Sequence, residues 1–368
     1  MTEVAVVDLG SLRAADAGRV GPKMARLGQL AADGWRVPDG YAVTAGALGQ
    51  WLPPAVREEL TGLLGALAPG AGELAGIAAS ARELVEAQPL PAWLEEAVTD
   101  AHARLSARSG RGAGLRVAVR SSAVSEDGHA ASFAGQYETY LGVSGPADVL
   151  RHVRRCWASG FSAHALAYRR RFGAPAAASD LAVGVLELVD ARSAGVAFTL
   201  DPVTGDRGVC VVEGNWGFGE SVVSGQVSPD HWTVDRASGR VRSARTGAKT
   251  AWAALSPADG RVTLAPLPAD LARRPCLSEE EVRYICERAA AIEAAAGGVP
   301  QDVEWAVARD LPFPDSVFFL QHRPETTWTG AKPGAAGAGP AEATGETAKA
   351  AFDPVQYALR NVFKVPGT

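Results

Sequence analysis

The hydrophobic period of this chain switches near residue 116, and that switch limits the possible folds more than any other feature. Residues 54–108 carry apolar side chains at helical spacing, interrupted at Pro69-Gly70 and across residues 89–91. Arg116-Val117-Ala118-Val119-Arg120 then alternates with period two, as a half-buried strand does. A polar, small-residue segment covers residues 121–135, and residues 136–143 read as a second strand. Helical spacing returns over residues 146–172, with Val149, Val153 and Trp157 on one face. The chain therefore holds both helices and sheet.

The same reading extends to both ends. Val37-Pro38-Asp39-Gly40 is a turn signal before a short apolar stretch at 41–44. A second part begins near Leu181. Residues 181–189 are a Val- and Leu-rich strand, and residues 195–200 and 209–213 are further strands. A helix is expected from Glu279 to about Ala296, with Ser278 and Glu281 as a capping box. Val282, Ile285, Ala289 and Ile292 form its apolar stripe, and Gly297 ends it. Residues 316–321 make another strand. Residues 329–350 are Gly, Ala, Pro, Thr and Glu, the composition of a flexible linker. Asp353-Pro354 then opens a short amphipathic tail through Val355, Leu359, Val362 and Phe363, expected to dock on the chain's own body or on a partner.

Charge and composition exclude several classes. With 368 residues the expected content is two or three domains. The 36 Lys and Arg against 41 Asp and Glu argue against a nucleic-acid binder with a globally basic surface, but permit a local phosphate pocket. No apolar run nears the roughly 20 residues of a membrane helix. The first ten residues include Glu3 and Asp8 and no basic cluster, unlike a secretory leader. Cys156, Cys210, Cys276 and Cys286 form no C-x-x-C, so neither a zinc ribbon nor a disulfide framework is expected. The expected location is the cytosol.

Five segments carry chemistry. In Val20-Gly21-Pro22-Lys23-Met24-Ala25-Arg26-Leu27-Gly28, a lysine at a turn into a helix suits a phosphate, through backbone N–H groups and a point charge. The alternative is a surface lysine at a helix start. Arg120 at a strand end faces a small-residue loop, Ser132-Phe133-Ala134-Gly135-Gln136, able to fold over a triphosphate. The third segment is Ser193-Ala194-Gly195-Val196-Ala197-Phe198-Thr199-Leu200-Asp201-Pro202-Val203-Thr204-Gly205. The fourth, Glu213-Gly214-Asn215-Trp216-Gly217-Phe218-Gly219-Glu220, is no dinucleotide fingerprint, because Val222 stands at the third glycine position. In the fifth, Glu304 and Gln321 sit on two strands and can hold Mg²⁺ through oxygen ligands. Arg323 can neutralise charge on a transferring phosphoryl group, or serve with Glu304 as a structural ion pair.

In order and spacing these segments resemble the nucleotide-binding domain of phosphoenolpyruvate synthase, pyruvate phosphate dikinase and rifampin phosphotransferase. The resemblance covers about residues 10–328. It is strongest in VAVRSSAVSEDGHAASFAGQYETYLGV, SAGVAFTLDPVTGDR, GNWGFGESVVSGQVSPD and PQDVEWA with FFLQHRPETTW. It implies an α+β chain with the ATP-grasp fold: two subdomains, residues 1–180 and 181–328, with the nucleotide between them. The linker at 329–350 and the tail at 351–368 would follow. It also implies roles. Lys23 and Arg120 would contact ATP phosphates, and Ser132, Phe133, Ala134, Gly135 and Gln136 would cover them. Glu187, Leu188 and Val189 would lie along the adenine by main-chain contacts, and Glu213 would line the site. Glu304 and Gln321 would position Mg²⁺, and Arg323 would stabilise the transferred phosphoryl group. The chain departs from the family pattern at Pro22, where a second glycine is usual, and at Leu186, where glutamine is usual.

Relatives of this kind pass the phosphoryl group to a histidine on a swivelling domain. His102, His129, His152, His164, His231 and His322 all lack that histidine's surroundings, although His322 is placed for an accessory phosphate contact. The resemblance thus implies an ATP-binding subunit of a split dikinase, similar to phenylphosphate synthase. A partner subunit would supply the histidine and the acceptor site, with phenol as the expected final acceptor. ATP would yield AMP and Pi. The competing expectations are a stand-alone ATP-grasp ligase, a component of an antibiotic kinase like rifampin phosphotransferase, and a non-catalytic ATP sensor.

Overall fold

In the computed structural model, residues 4–65, 71–124, 138–171, 180–325 and 328 are described. They group into two units. One runs to Leu188 and takes in residues 255–261; the other holds residues 189–254 and those from Val262 onward.

The first unit contains β1 (Val6–Asp8), α1 (Ala17–Ala32), β2 (Gly40–Val43), α2 (Ala45–Trp51), α3 (Pro54–Gly65), α4 (Ala71–Glu86), α5 (Ala92–Ser109), β3 (Arg116–Ala123), β4 (Thr139–Ser144), α6 (Pro146–Ser159), α7 (Ala163–Arg171) and β5 (Leu181–Glu187). The expected helical stretch resolves into α3, α4 and α5. The helix expected over 146–172 breaks at Gly160 into α6 and α7. The five strands form an antiparallel sheet in the order β1-β2-β5-β3-β4. Alternation along β3 and β5 sends Val117, Val119, Val183 and Val185 into a core shared with Leu94, Leu105, Val149, Val153 and Trp157. Trp51 and Trp157 stack there at 5.1 Å. Their indole N–H groups donate to Pro89 O and Leu181 O, so neither is buried without a partner. On the sheet, β5 lies between β2 and β3. The strand expected to open the second subdomain at Leu181 thus belongs to the first unit, and the division falls after Leu188.

The second unit contains β6 (Ala191–Phe198), β7 (Val209–Trp216), α8 (Glu220–Val223), β8 (Asp230–Asp235), β9 (Val241–Arg245), β10 (Ala251–Leu255), β11 (Val262–Pro266), α9 (Ala269–Ala272), α10 (Glu279–Ala295), β12 (Gln301–Ala308) and β13 (Val317–Pro324). Six of its strands form a second antiparallel sheet, β13-β12-β6-β7-β8-β9, and β10 pairs with β11. α10 starts as expected: Ser278 Oγ accepts the Glu281 N–H, and the Glu281 carboxylate accepts the Ser278 N–H at 2.8 Å. Its stripe of Val282, Ile285, Ala289 and Ile292 is buried. The Trp305 indole lies over Gly214, where an added Cβ would come within 2.7 Å of the ring. The linker and tail expected after residue 328 lie outside the described residues.

Candidate functional site

In the first unit the site is built where α1 meets the sheet. Gly21 interrupts α1 with φ +73° and ψ 157°, so a helical segment restarts at Pro22. A side chain at Gly21 would be doubly penalised. Its φ favours glycine, and its Cβ would fall 2.3 Å from Ser122 Oγ. Pro22 occupies the first helical position, where a missing N–H costs nothing because that N–H has no helical acceptor. The departure from the family's second glycine is therefore absorbed by the geometry. Lys23, half-buried, is in the first turn of this segment, beside the positive end of the helix.

Arg120 is on the same sheet face. Residues 116, 118, 120 and 122 of β3 alternate away from the valine core, and Ser122 lies directly under Gly21. Arg120 pairs across to Gly184 of β5, and Gly184 is glycine because the Met24 side chain fills the space above it. Small residues at 21 and 184 thus let the helix start settle on the face that carries Arg120. Ser132, Phe133, Ala134, Gly135 and Gln136 lie outside the described residues. At the far end of β5, the Glu187 carboxylate pairs with Arg111 at 2.7 Å. The amides of Glu187 and Leu188 donate to Asp39 O and Arg116 O, and Val189 follows, half-buried. Adenine recognition along 187–188 would therefore not use those two amides.

In the second unit, one register line crosses five strands. Gln321 of β13 faces Glu304 of β12, which faces Val196 of β6, then Glu213 of β7, then His231 of β8. Directly paired residues share a sheet face, so Gln321, Glu304, Glu213 and His231 project to one side. A bulge makes this possible. The register of β12 and β13 shifts after the Glu304–Gln321 pair, so that Trp305 faces Phe319 and Leu320 is the additional residue. Simple alternation would send Phe319 and Gln321 to the same face. The bulge buries Phe319 with Trp305 while Gln321 joins Glu304.

Arg323 faces Asp302 on the same side, one step along from that line. Its Nε and Nη2 both reach Asp302 Oδ2, at 2.7 and 2.6 Å. The structural ion pair expected between Arg323 and Glu304 is thus made instead with Asp302, which orients one edge of the guanidinium. Glu304 stays beside Gln321. His322 is turned the other way: it faces Val303, and its Nδ1 is 2.9 Å from Gln301 Oε1. Strand alternation removes it from the face that holds its two neighbours, so the accessory phosphate contact expected of it is not supported.

Three contributors were not singled out in the sequence. Asp302 is two residues from Glu304, and period-two spacing is a signal that could have found it. Ser122 and His231 depend on which elements touch, and no local pattern marks them.

A carboxylate and an amide oxygen side by side on paired strands fit a magnesium ion that keeps phosphate and water among its ligands. Lys23 at a helix start and Arg120 on the adjoining sheet face fit the phosphates. Helices together with two antiparallel sheets make this an α+β, ATP-grasp-like chain. The chain belongs to the family described as the pyruvate phosphate dikinase AMP/ATP-binding domain, which it matches over residues 17–341. It is 39% identical over 332 residues to a probable phosphoenolpyruvate synthase of Staphylothermus marinus, covering 84% of this chain and 40% of that protein. It is 40% identical to a rifampicin phosphotransferase of a Streptomyces species, covering 88% of this chain and 36% of that protein. It is 38% identical to the prodigiosin synthesizing transferase PigC of Serratia marcescens, covering 89% and 34%. The chain thus spans well under half the length of these relatives. No described helix is long and apolar enough to cross a membrane.

Proposed function

We propose that this chain is the ATP-binding part of a dikinase-type phosphotransferase, acting with Mg²⁺. Lys23 and Arg120 would hold phosphates, Glu304 and Gln321 the cation, and Arg323 the phosphoryl group in transfer. The observation that carries this reading is the Glu304–Gln321 pair with Arg323 one register step away, oriented by Asp302. Such an arrangement works by positioning and charge neutralisation, with no covalent contribution from this chain. A histidine attacks the β-phosphorus of ATP and takes the pyrophosphoryl group, releasing AMP. Water then removes the terminal phosphate as Pi, leaving phosphohistidine.

That histidine is proposed to lie on a partner subunit, together with the acceptor site. Support comes from the described histidines. Of the five described, His102 and His152 are buried, His231 is bonded to Glu213 and His322 to Gln301, while His164 is exposed on α7 in a sequence context unlike that of the family's phosphohistidine. Phenol is the proposed final acceptor, as in phenylphosphate synthase. The cytoplasm is the proposed location.

The test is product analysis with labelled ATP and a purified histidine-bearing partner. AMP, Pi and acid-labile phosphate on the partner are expected; ADP as the nucleotide product would overturn the dikinase reading. Arg323→Ala should lower turnover about 10²–10³-fold, the loss expected for one group that stabilises transition-state charge. AMP binding, followed by calorimetry, should be unchanged.

A further inference from the structure

We propose that His231 is a positioning residue for the nucleotide site, holding the Glu213 carboxylate in place on the face that carries Glu304 and Gln321. This rests on the function proposed above.

Glu213 lies on the register line with Glu304, two strands away. At the usual strand spacing the two carboxylates are about 10 Å apart, too far to share one cation. Glu213 therefore meets a different part of the ligand, and it must be oriented independently of the Glu304–Gln321 pair. His231, next on the line, does this. Its Nδ1 is 3.2 Å from Glu213 Oε1. Among the described residues it is the one side chain within hydrogen-bond reach of that carboxylate. Thr233, two residues along β8 and hence on the same face, has its hydroxyl 3.4 Å from His231 Nε2. The natural assignment has Thr233 donating to Nε2, so that Nδ1 carries the proton and donates to Glu213.

The arrangement has two chemical consequences. A single ring N–H orients the carboxylate through one directed bond, where an arginine or lysine would set a permanent charge against it. It also occupies one carboxylate oxygen and leaves the other to accept from the ligand. Second-layer histidine–carboxylate pairs do the same for groups in direct contact with a ligand elsewhere. Because both nitrogens of His231 are engaged, it is not placed to carry a phosphoryl group.

The experiment is calorimetric titration of the full chain with ATP and Mg²⁺, alongside thermal melts. His231→Ala should raise the Kd about tenfold, the loss of one hydrogen bond to a charged acceptor. His231→Asn retains a donor near the position of Nδ1 and should stay within about twofold of the parent. Glu213→Ala should match His231→Ala, and the double variant should be no weaker than either. An unchanged Kd for His231→Ala would overturn the proposal. So would equal weakening by Ala and Asn accompanied by lower melting temperatures, because that marks a purely structural role. Loss of ATP binding in Lys23→Ala with no effect at His231 would leave the function reading standing and remove this one. A parent chain that binds no ATP would overturn both.

Discussion

Gly21 shows how much one residue decides. Its positive φ restarts α1, and its missing Cβ lets Ser122 close in beneath it. Gly21→Ala should destabilise the protein by about 1–3 kcal/mol in urea melts, the usual cost of forcing such a backbone on a side chain. It should also weaken ATP binding, because Lys23 sits in the turn that would move. The buried histidines set a pH limit. Burial holds the His102 and His152 pKa values below the ordinary 6.5. His152 also accepts from Arg261 at Nε2 while its Nδ1 meets Asp148 O at 2.7 Å, which suits the neutral ring. Between the lowered pKa and 6.5 the unfolded chain binds more protons than the folded one, so stability falls as pH falls. Urea melts should give a constant stability above pH 7 and a decline below about 6.5. The decline should be up to about 1.4 kcal/mol per pH unit for each histidine. Replacing either should flatten it.

At the scale of elements, the second sheet depends on a buried ion pair that the sequence does not advertise. Lys249 and Asp230 are both fully buried. Asp230 also accepts from the amides of Gly247 and Cys276, and Lys249 donates to Arg274 O at 2.7 Å. The pair thereby ties β8 to the segments before β10 and α10. Lys249→Met leaves Asp230 without its cation and should cost about 3–5 kcal/mol in chemical denaturation. Replacing both partners with apolar residues should cost less. Element by element, the chain was readable where one period dominates. α10 is the clearest case, because its capping box, stripe and terminal glycine all agree. β8 to β11 were not foreseen. Val241–Arg245 is almost wholly exposed and shows no apolar alternation, so its strand character comes from pairing with β8. The bulge at Leu320 was equally hidden, since Phe318-Phe319-Leu320-Gln321 reads the same with or without it.

For the molecule as a whole, the proposed function ties nucleotide binding to folding. A ligand that binds only the native state at 100 times its Kd adds about 2.7 kcal/mol to stability. Saturating ATP with Mg²⁺ should therefore raise the melting temperature. That rise should vanish in Lys23→Ala and shrink in Glu304→Gln, because one removes a phosphate partner and the other a charged cation ligand. A rise of equal size in both variants would place the nucleotide elsewhere.

The candidate site divides along the same line. Residue types, their order and the family resemblance nominated Lys23, Arg120, Glu304, Gln321 and Arg323, because phosphates and magnesium call for cations and oxygen donors at strand and helix ends. Hydrophobic period, proline and glycine breaks and cap chemistry sufficed for α3 to α5, β3 and α10. These are local properties, set by neighbours a few residues away in the chain. What came from the tertiary structure is how those groups are held. Asp302 rather than Glu304 pairs with Arg323, His322 turns away, His231 faces Glu213, and β5 joins the first unit. Each of these is settled by strand register and sheet order, which join residues far apart in sequence. One skipped residue in a strand exchanges the faces of every side chain beyond it.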